Sequence, residues 1–295
     1  TKDIYLNNPN IDEIITIDNL DKTEKSFWEL VREIKQYKFS HAFMLLPNEK
    51  LNYALFISGI KYRVGVGHKL YQFLTFTKYV DRKKYIPLRH EADYCLDMIR
   101  KIGIQVQSIL PEIHLTDTEK VKADFFRKKY LRINQKLIGI NISSGNSAPN
   151  LNESEYKKLI LMLKQNPEYK IAVMDNNVLQ EIDNIENVLY PNKGNTLRDS
   201  IINLASLDLL ISNSTGPMHI CAALNVPTVS LFCPLTACSP KLWGPLGNKS
   251  EIIMPTQNYC FTQCPIDPKK CDYSKEGGLT ASEVAEKVAQ FLNKI

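Results

Sequence analysis

The chain has 295 residues, 44% apolar and 23% charged, and its 37 basic against 32 acidic residues give a net charge of +5 at neutral pH. That length suits two domains of ordinary size, and the balance of apolar and charged residues excludes a disordered chain. The positive charge is too mild and too dispersed for a nucleic-acid binder, and no run approaches the roughly 20 apolar residues of a membrane helix.

The start of the chain lacks the charged, apolar and small-residue pattern of a secretion signal, so the sequence reads as cytoplasmic, and its seven cysteines as mostly reduced. Residues 4–10 read as the end of a helix and a turn, and residues 11–17 alternate like a strand. Phe27, Leu30, Val31 and Ile34 fall at helical spacing within residues 26–37. A strand at 40–46, a helix at 50–58 and a strand at 62–66 follow, an alternation that predicts a parallel sheet. Gly65-Val66-Gly67 does not make a dinucleotide fingerprint, because the third glycine position is Leu70.

Residues 69–85 mix Tyr71, Phe73, Phe76 and Tyr79 with Lys78, Arg82, Lys83 and Lys84. Two readings stay open: a surface helix and loop with snorkelling lysines, or a docking surface where cations meet phosphates and aromatics lie against sugar or lipid. His90 is placed to cap a helix over 91–102, and 117–131 reads as a strongly charged helix. Residues 137–142 form a buried strand. Ser143-Ser144-Gly145-Asn146 follows, small polar residues able to offer hydroxyls and backbone N–H groups to a diphosphate, ahead of a helix at 153–164. After a strand at 170–174, Asp175 is either an acceptor for ribose hydroxyls or a strand-end turn residue. Asn195 and Thr196 cap a helix over 197–206.

The chain is organised around residues 207–224. A buried strand at 207–212 leads through a turn at 213–216 into a helix that opens with Pro217, a residue suited to a first helical turn. That turn points unpaired N–H groups at whatever lies ahead, and the helix dipole favours negative charge there, which makes a phosphate seat. Gly216 lets a ligand approach the backbone, Ser214, Thr215 and His219 supply hydroxyls and an imidazole, and Met218 completes the turn. No lysine follows the glycine, so this is not a P-loop. An ordinary capped strand-to-helix connection would look the same in isolation. The helix ends at Asn225-Val226-Pro227. A strand over 228–232 follows, then Cys233-Pro234-Leu235-Thr236, and then Ser239-Pro240-Lys241-Leu242-Trp243-Gly244-Pro245-Leu246-Gly247.

Taken in order, Ser212-Asn213-Ser214-Thr215-Gly216-Pro217-Met218-His219, Ala222-Ala223-Leu224, residues 227–234 and residues 239–247 resemble the blocks S-N-D-[ST]-G-P-x-H-x-A-A-A-L, P-x-V-x-L-F-G-P-T and S-P-x-x-W-G-P-x-G of glycosyltransferase family 9, the ADP-heptose:lipopolysaccharide heptosyltransferases. The resemblance implies an α/β fold of GT-B type, two Rossmann-like domains with parallel sheets facing across a cleft. The N-terminal, acceptor-side domain would span 1–134 and lack its first strand and loop. The nucleotide-sugar domain would span 135–295, with a last helix over about 282–295 crossing back.

The implied activity is inverting transfer of a sugar, heptose from ADP-heptose, to a lipopolysaccharide core or related cell-envelope glycan, with no metal or other cofactor. The implied donor contacts are Ser143, Ser144, Gly145, Asn146, Asp175, Ser214, Thr215, Gly216, Pro217, Met218 and His219, with His219 stabilising the leaving group. Arg63, Lys69, Arg82 and Lys83 would meet a lipid-linked acceptor, and the protein would touch the inner face of the inner membrane.

Three departures stand out. The family begins with a strand and a glycine-containing loop whose aspartate serves as general base, and this chain starts after that point, so no base is identified. Ser214 replaces an aspartate, and Pro149, Asn150 and Leu151 stand where relatives carry basic residues and a tryptophan. They keep a second reading open, a non-catalytic sugar-nucleotide or glycan-binding protein of the same fold. Cys260, Cys264 and Cys271 suggest a metal, but structural zinc takes four ligands and no histidine lies nearby, which favours thiols or a local cross-link.

Overall fold

Among the described residues, eight strands, all paired in parallel, form two separate sheets. The computed structural model describes residues 2–19, 21, 23–81, 85–106, 108–145, 148–265, 267 and 269–295. Each sheet belongs to its own unit: one is Glu13–Ile109, and the other joins Thr1–Asp12 to Leu110–Ile295.

In the smaller unit the order is α1 (Phe27–Gln36), β1 (His41–Met44), α2 (Glu49–Ile57), β2 (Tyr62–Val66), α3 (Leu70–Leu74), β3 (Lys78–Val80) and α4 (Glu91–Arg100), with sheet order β1-β2-β3. Ser26 starts α1 with a reciprocal capping box to Glu29. Leu30, Val31 and Ile34 of that helix pack with Ala54 and Ile60, while Val64, Val66 and Val80 pack with Met98 of α4. His90 caps α4 by accepting from the Ala92 N–H through Nδ1. Residues 11–17 form no strand. Their side chains stay half-buried or exposed, with the Ile17 carbonyl accepting from the Lys25 N–H next to an isolated bridge between Asp18 and Glu24.

The larger unit runs α5 (Asp117–Tyr130), β4 (Lys136–Ile140), α6 (Glu153–Leu163), β5 (Tyr169–Val173), α7 (Leu197–Ala205), β6 (Leu209–Asn213), α8 (Gly216–Ala223), β7 (Thr228–Leu231), α9 (Pro240–Trp243), β8 (Ser250–Ile253), α10 (Gln257–Thr262) and α11 (Ala281–Leu292). Successive strand residues point to opposite faces. Ile138, Ile140, Leu209 and Ile211 therefore meet Leu159, Ile160, Val284 and Val288 on one side, while Leu137, Ala172 and Leu210 meet Ile201, Leu204 and Cys221 on the other. Helices cover both faces of a sheet ordered β5-β4-β6-β7-β8. Between β4 and β6 the connections leave for opposite faces, and such folds hold ligands beyond the carboxyl ends of that strand pair.

The units divide differently from the expected boundary at residue 134. Helix α5 belongs with the larger unit because Phe126 and Leu131 pack with Leu204 and Leu207, Arg127 pairs with Asp208 at 3.0 Å, and Glu119 pairs with Arg198 at 2.7 Å. Arg198 also donates to the Asp3 carbonyl, which ties the first residues of the chain to the same unit. Within the larger unit, Val284, Val288, Phe291 and Leu292 of α11 fill the core beside α6.

Candidate functional site

The turn between β6 and α8 is built to leave a helix start uncapped. Thr215 occupies the N-cap position in extended conformation, yet its hydroxyl makes no cap bond. It turns instead to Asn141 Oδ1 at 3.1 Å and to Ser212 Oγ at 3.1 Å. The first helical positions carry no acidic side chain, and Pro217 has no N–H to satisfy. The Gly216 and Met218 N–H groups, together with the positive end of the helix dipole, are thus left for a ligand. A Cβ placed on Gly216 would meet no atom within 4 Å, so the space ahead of the helix is open.

That space is a pocket of about 290 Å³ lined by Ser214, Thr215, Gly216 and His219, by Ala148 from the loop after β4, and by Ala237, Cys238 and Trp243. Pockets for small molecules run from roughly 300 to 1,000 Å³, so this one has room for a diphosphate and part of what it carries. His219, half-buried in the first turn of α8, lies edge-on to Trp243 with ring centroids 6.5 Å apart. Trp243 is fixed by its Nε1–H donating to the Ala237 carbonyl at 3.0 Å. Burial pushes the Cys238 thiol up, and the neighbouring Cys233 to about 11, which favours the protonated thiol over the thiolate at both.

Behind the pocket a hydrogen-bonded layer fixes both strand ends. Asp175, only 3% exposed, accepts from Asn141 Nδ2 at 2.9 Å and from the backbone N–H groups of Ile142 and Ser143 at 2.8 Å each. Asn141 in turn holds Thr215, so the carboxylate positions the pocket turn through one intermediary. Asn213 Nδ2 donates to Tyr156 at 2.8 Å and to Asn150 Oδ1, and Asn150 also accepts from the Tyr156 hydroxyl and donates to the Ile142 carbonyl. Burial raises the Tyr156 pKa and keeps that phenol protonated as a donor.

The structure brings together Ser214, Thr215, Gly216 and His219 from the sequence-derived set and places others elsewhere. Asp175 fits the second of its two expected places, a residue at the strand end, with its carboxylate held by Asn141 and by the Ile142 and Ser143 N–H groups. Met218 is fully buried, so only its backbone can reach a ligand, and Pro217 does not line the pocket. The Ser143 N–H is taken by Asp175, while Ser144 and Gly145 lie in the same loop without lining the pocket. Asn146, like Arg82 and Lys83, lies outside the described residues. The helix that follows the loop after β4 has its start capped by Asn152 and carries Glu153 and Glu155 in its first turn.

Arg63 is a correction. At 8% exposure it lies inside the smaller unit rather than on its surface, donating to the Ile60 and Thr75 carbonyls with its guanidinium over the Phe56 ring. Lys69 is exposed. Asn150 and Leu151, which replace the family's basic and aromatic residues, are structural: Asn150 is a hub of the buried network and Leu151 is in the core. All seven cysteines are thiols, with no disulfide among them. Sequence reasoning missed Ala148, Ala237, Cys238 and Trp243 as pocket walls, although Trp243 stands in one of the quoted blocks.

Comparison with known proteins agrees with this architecture. The family model for glycosyltransferase family 9 (heptosyltransferase) matches residues 27–269. A protein of Haemophilus influenzae provisionally named a glycosyltransferase is 28% identical over 259 residues, covering 83% of this chain and 74% of its own. Lipooligosaccharide heptosyltransferase 2 of Campylobacter jejuni is 28% identical over 163 residues, 51% of this chain and 50% of its own. Among solved structures, a glycosyl transferase family 9 protein from Veillonella parvula superposes with a TM-score of 0.75 at 23% identity over 100% of this chain and 86% of its own. The E. coli ADP-heptose lipopolysaccharide heptosyltransferase II superposes with a TM-score of 0.65 at 18% identity over 91% and 81%. These superpositions bear on the fold, an α/β arrangement of parallel sheets matching GT-B-type heptosyltransferases.

Proposed function

The chain belongs to glycosyltransferase family 9, and from that premise we propose that it transfers heptose, or a closely similar sugar, from a nucleoside diphosphate donor, ADP-heptose, to a lipid-linked glycan acceptor of the cell envelope such as a lipopolysaccharide core. The observation that carries the donor half of this reading is the uncapped start of α8 opening on the pocket of Ser214, Thr215, Gly216 and His219. In inverting transfer an acceptor hydroxyl attacks the anomeric carbon as the bond to the diphosphate breaks. The charge that grows on the departing phosphate is met by the backbone N–H groups and dipole of α8 and by the His219 imidazole. The hydrogen-bonded layer of Asp175, Asn141 and Thr215 holds these donors in place before the substrate arrives, so little reorganisation is needed in the transition state.

No helix among the described residues is long and apolar enough to cross a membrane. A lipid-linked acceptor would therefore be met at the bilayer surface. Calorimetry with ADP, GDP and UDP, followed by turnover with ADP-heptose, tests the reading. Binding of ADP together with heptose transfer supports it. Binding without transfer to any acceptor would favour the second reading, a sugar-nucleotide-binding protein, and failure of all three nucleotides to bind would refute both.

A further inference from the structure

The segment from Lys69 to Tyr79 is folded inside out. Its polar side chains point inward: Gln72, Thr75 and Thr77 are buried, with Gln72 Nε2 donating to the Val66 carbonyl, Asn52 Nδ2 donating to Thr75 Oγ1 at 2.7 Å, and Thr77 donating back to Asn52 Oδ1 at 3.1 Å. Its large apolar side chains point outward. Phe73 is 78% and Phe76 83% exposed, and Leu70, Leu74 and Tyr79 are also exposed. Phe76 sits at φ 53°, a left-handed conformation that aromatic residues adopt at a cost and that here turns its ring outward. The buried hydrogen bonds hold this display rigidly, so it is not a collapsed loop that happens to expose a ring.

The same face carries cations. Lys69, Lys78 and Lys101 line a cavity of about 850 Å³ with Leu70, Phe73 and Phe76, and His68 and Tyr79 complete its rim. Apolar rings surrounded by lysines complement one kind of surface, a bilayer with anionic headgroups, where rings enter the acyl boundary and ammonium groups meet phosphates.

We propose that this face of the smaller unit docks the protein on anionic phospholipid bilayers. The proposal rests on the reading of a lipid-linked acceptor and identifies the surface through which the protein would reach it. Phe73 and Phe76 supply the inserted rings, and Lys69, Lys78 and Lys101 the attraction, each lysine near such a surface contributing roughly a fivefold change in partitioning.

The test is co-sedimentation of the full chain with vesicles of phosphatidylcholine alone and of phosphatidylcholine with phosphatidylglycerol, with ADP binding measured on the same preparations. Wild type should bind the anionic vesicles and be released by salt. Phe73→Ser with Phe76→Ser should abolish binding, and Lys69→Gln with Lys78→Gln should weaken it by roughly an order of magnitude or more. ADP binding should be unchanged in all variants. Equal binding to both vesicle types, retention of binding in the phenylalanine variant, or vesicle-independent self-association lost in that variant would overturn the proposal. ADP binding without vesicle binding would refute this docking face alone, and vesicle binding without ADP binding would refute the donor reading alone.

Discussion

Replacing Asp175 by asparagine separates a positioning carboxylate from a ligand contact. In the native chain Oδ1 accepts from Asn141 and Ser143 and Oδ2 from Ile142, all at 2.8 to 2.9 Å in a buried setting. The amide keeps one acceptor and sets an NH₂ group against an N–H, whichever way it is turned. With the NH₂ at the Oδ2 place the Ile142 bond is lost and its N–H left unpaired, together worth about 3 kcal/mol, and the reverse orientation, which gives up the bonds from both Asn141 and Ser143, costs more. For a unit of this size roughly 2 to 4 °C of melting temperature goes with each kcal/mol, so Asp175→Asn should melt roughly 6 to 12 °C below wild type by circular dichroism. Donor affinity should fall as well, because a neutral amide holds Asn141, and through it Thr215, less strongly than the carboxylate does. A variant that melts with the wild type while losing ADP affinity would show that Asp175 meets the nucleotide and that the positioning argument is wrong.

Three further outcomes follow from the same geometry. His219→Ala should lower turnover about tenfold or more while changing donor affinity little, since a transition-state contact of about 1.4 kcal/mol appears in rate rather than binding; stopped-flow and calorimetry on the same protein distinguish the two. Turnover should survive EDTA, because the described residues lining the pocket bring hydroxyls, backbone and an imidazole but no carboxylate for a magnesium ion, and activity lost on chelation and restored by magnesium would contradict this. The Arg198 guanidinium holds the Glu119 carboxyl at about 2, below its usual 4.5. A depressed carboxylate stabilises the fold above its unfolded pKa, so this contribution is present above pH 4.5 and is lost as pH falls toward 2. Glu119→Gln should flatten the fall in urea-midpoint stability across that window, and an unchanged slope would remove the pair from the account.

The central layer of the larger unit was legible in the sequence because strands buried on both faces read as continuous apolar runs: β7 falls within its expected segment, and β4, β5 and β6 overlap theirs with one residue outside each. Short elements left no such trace: β3 and β8 each bury a single residue, and neither shows alternation. Residues 11–17 show the opposite failure, a period-2 pattern that found no partner strand. The phosphate seat was legible because a helix start is encoded locally, in Thr215 to His219. The role of Asp175 was not, since its partners lie more than thirty residues back and only the parallel register of β4 and β5 brings them together. Arg63 misled for a related reason. A cation in a strand looks like surface until the fold places the Ile60 and Thr75 carbonyls around it.

The most direct test of the donor seat is calorimetric titration of ADP into wild type and Gly216→Val. No atom lies within 4 Å of a Cβ at residue 216, so the larger side chain should leave the melting temperature unchanged while occupying the space ahead of α8. The account predicts that wild type binds ADP and that Gly216→Val weakens it about tenfold or more, a loss of about 1.4 kcal/mol. Equal affinity in the two proteins, with both folded, would contradict it.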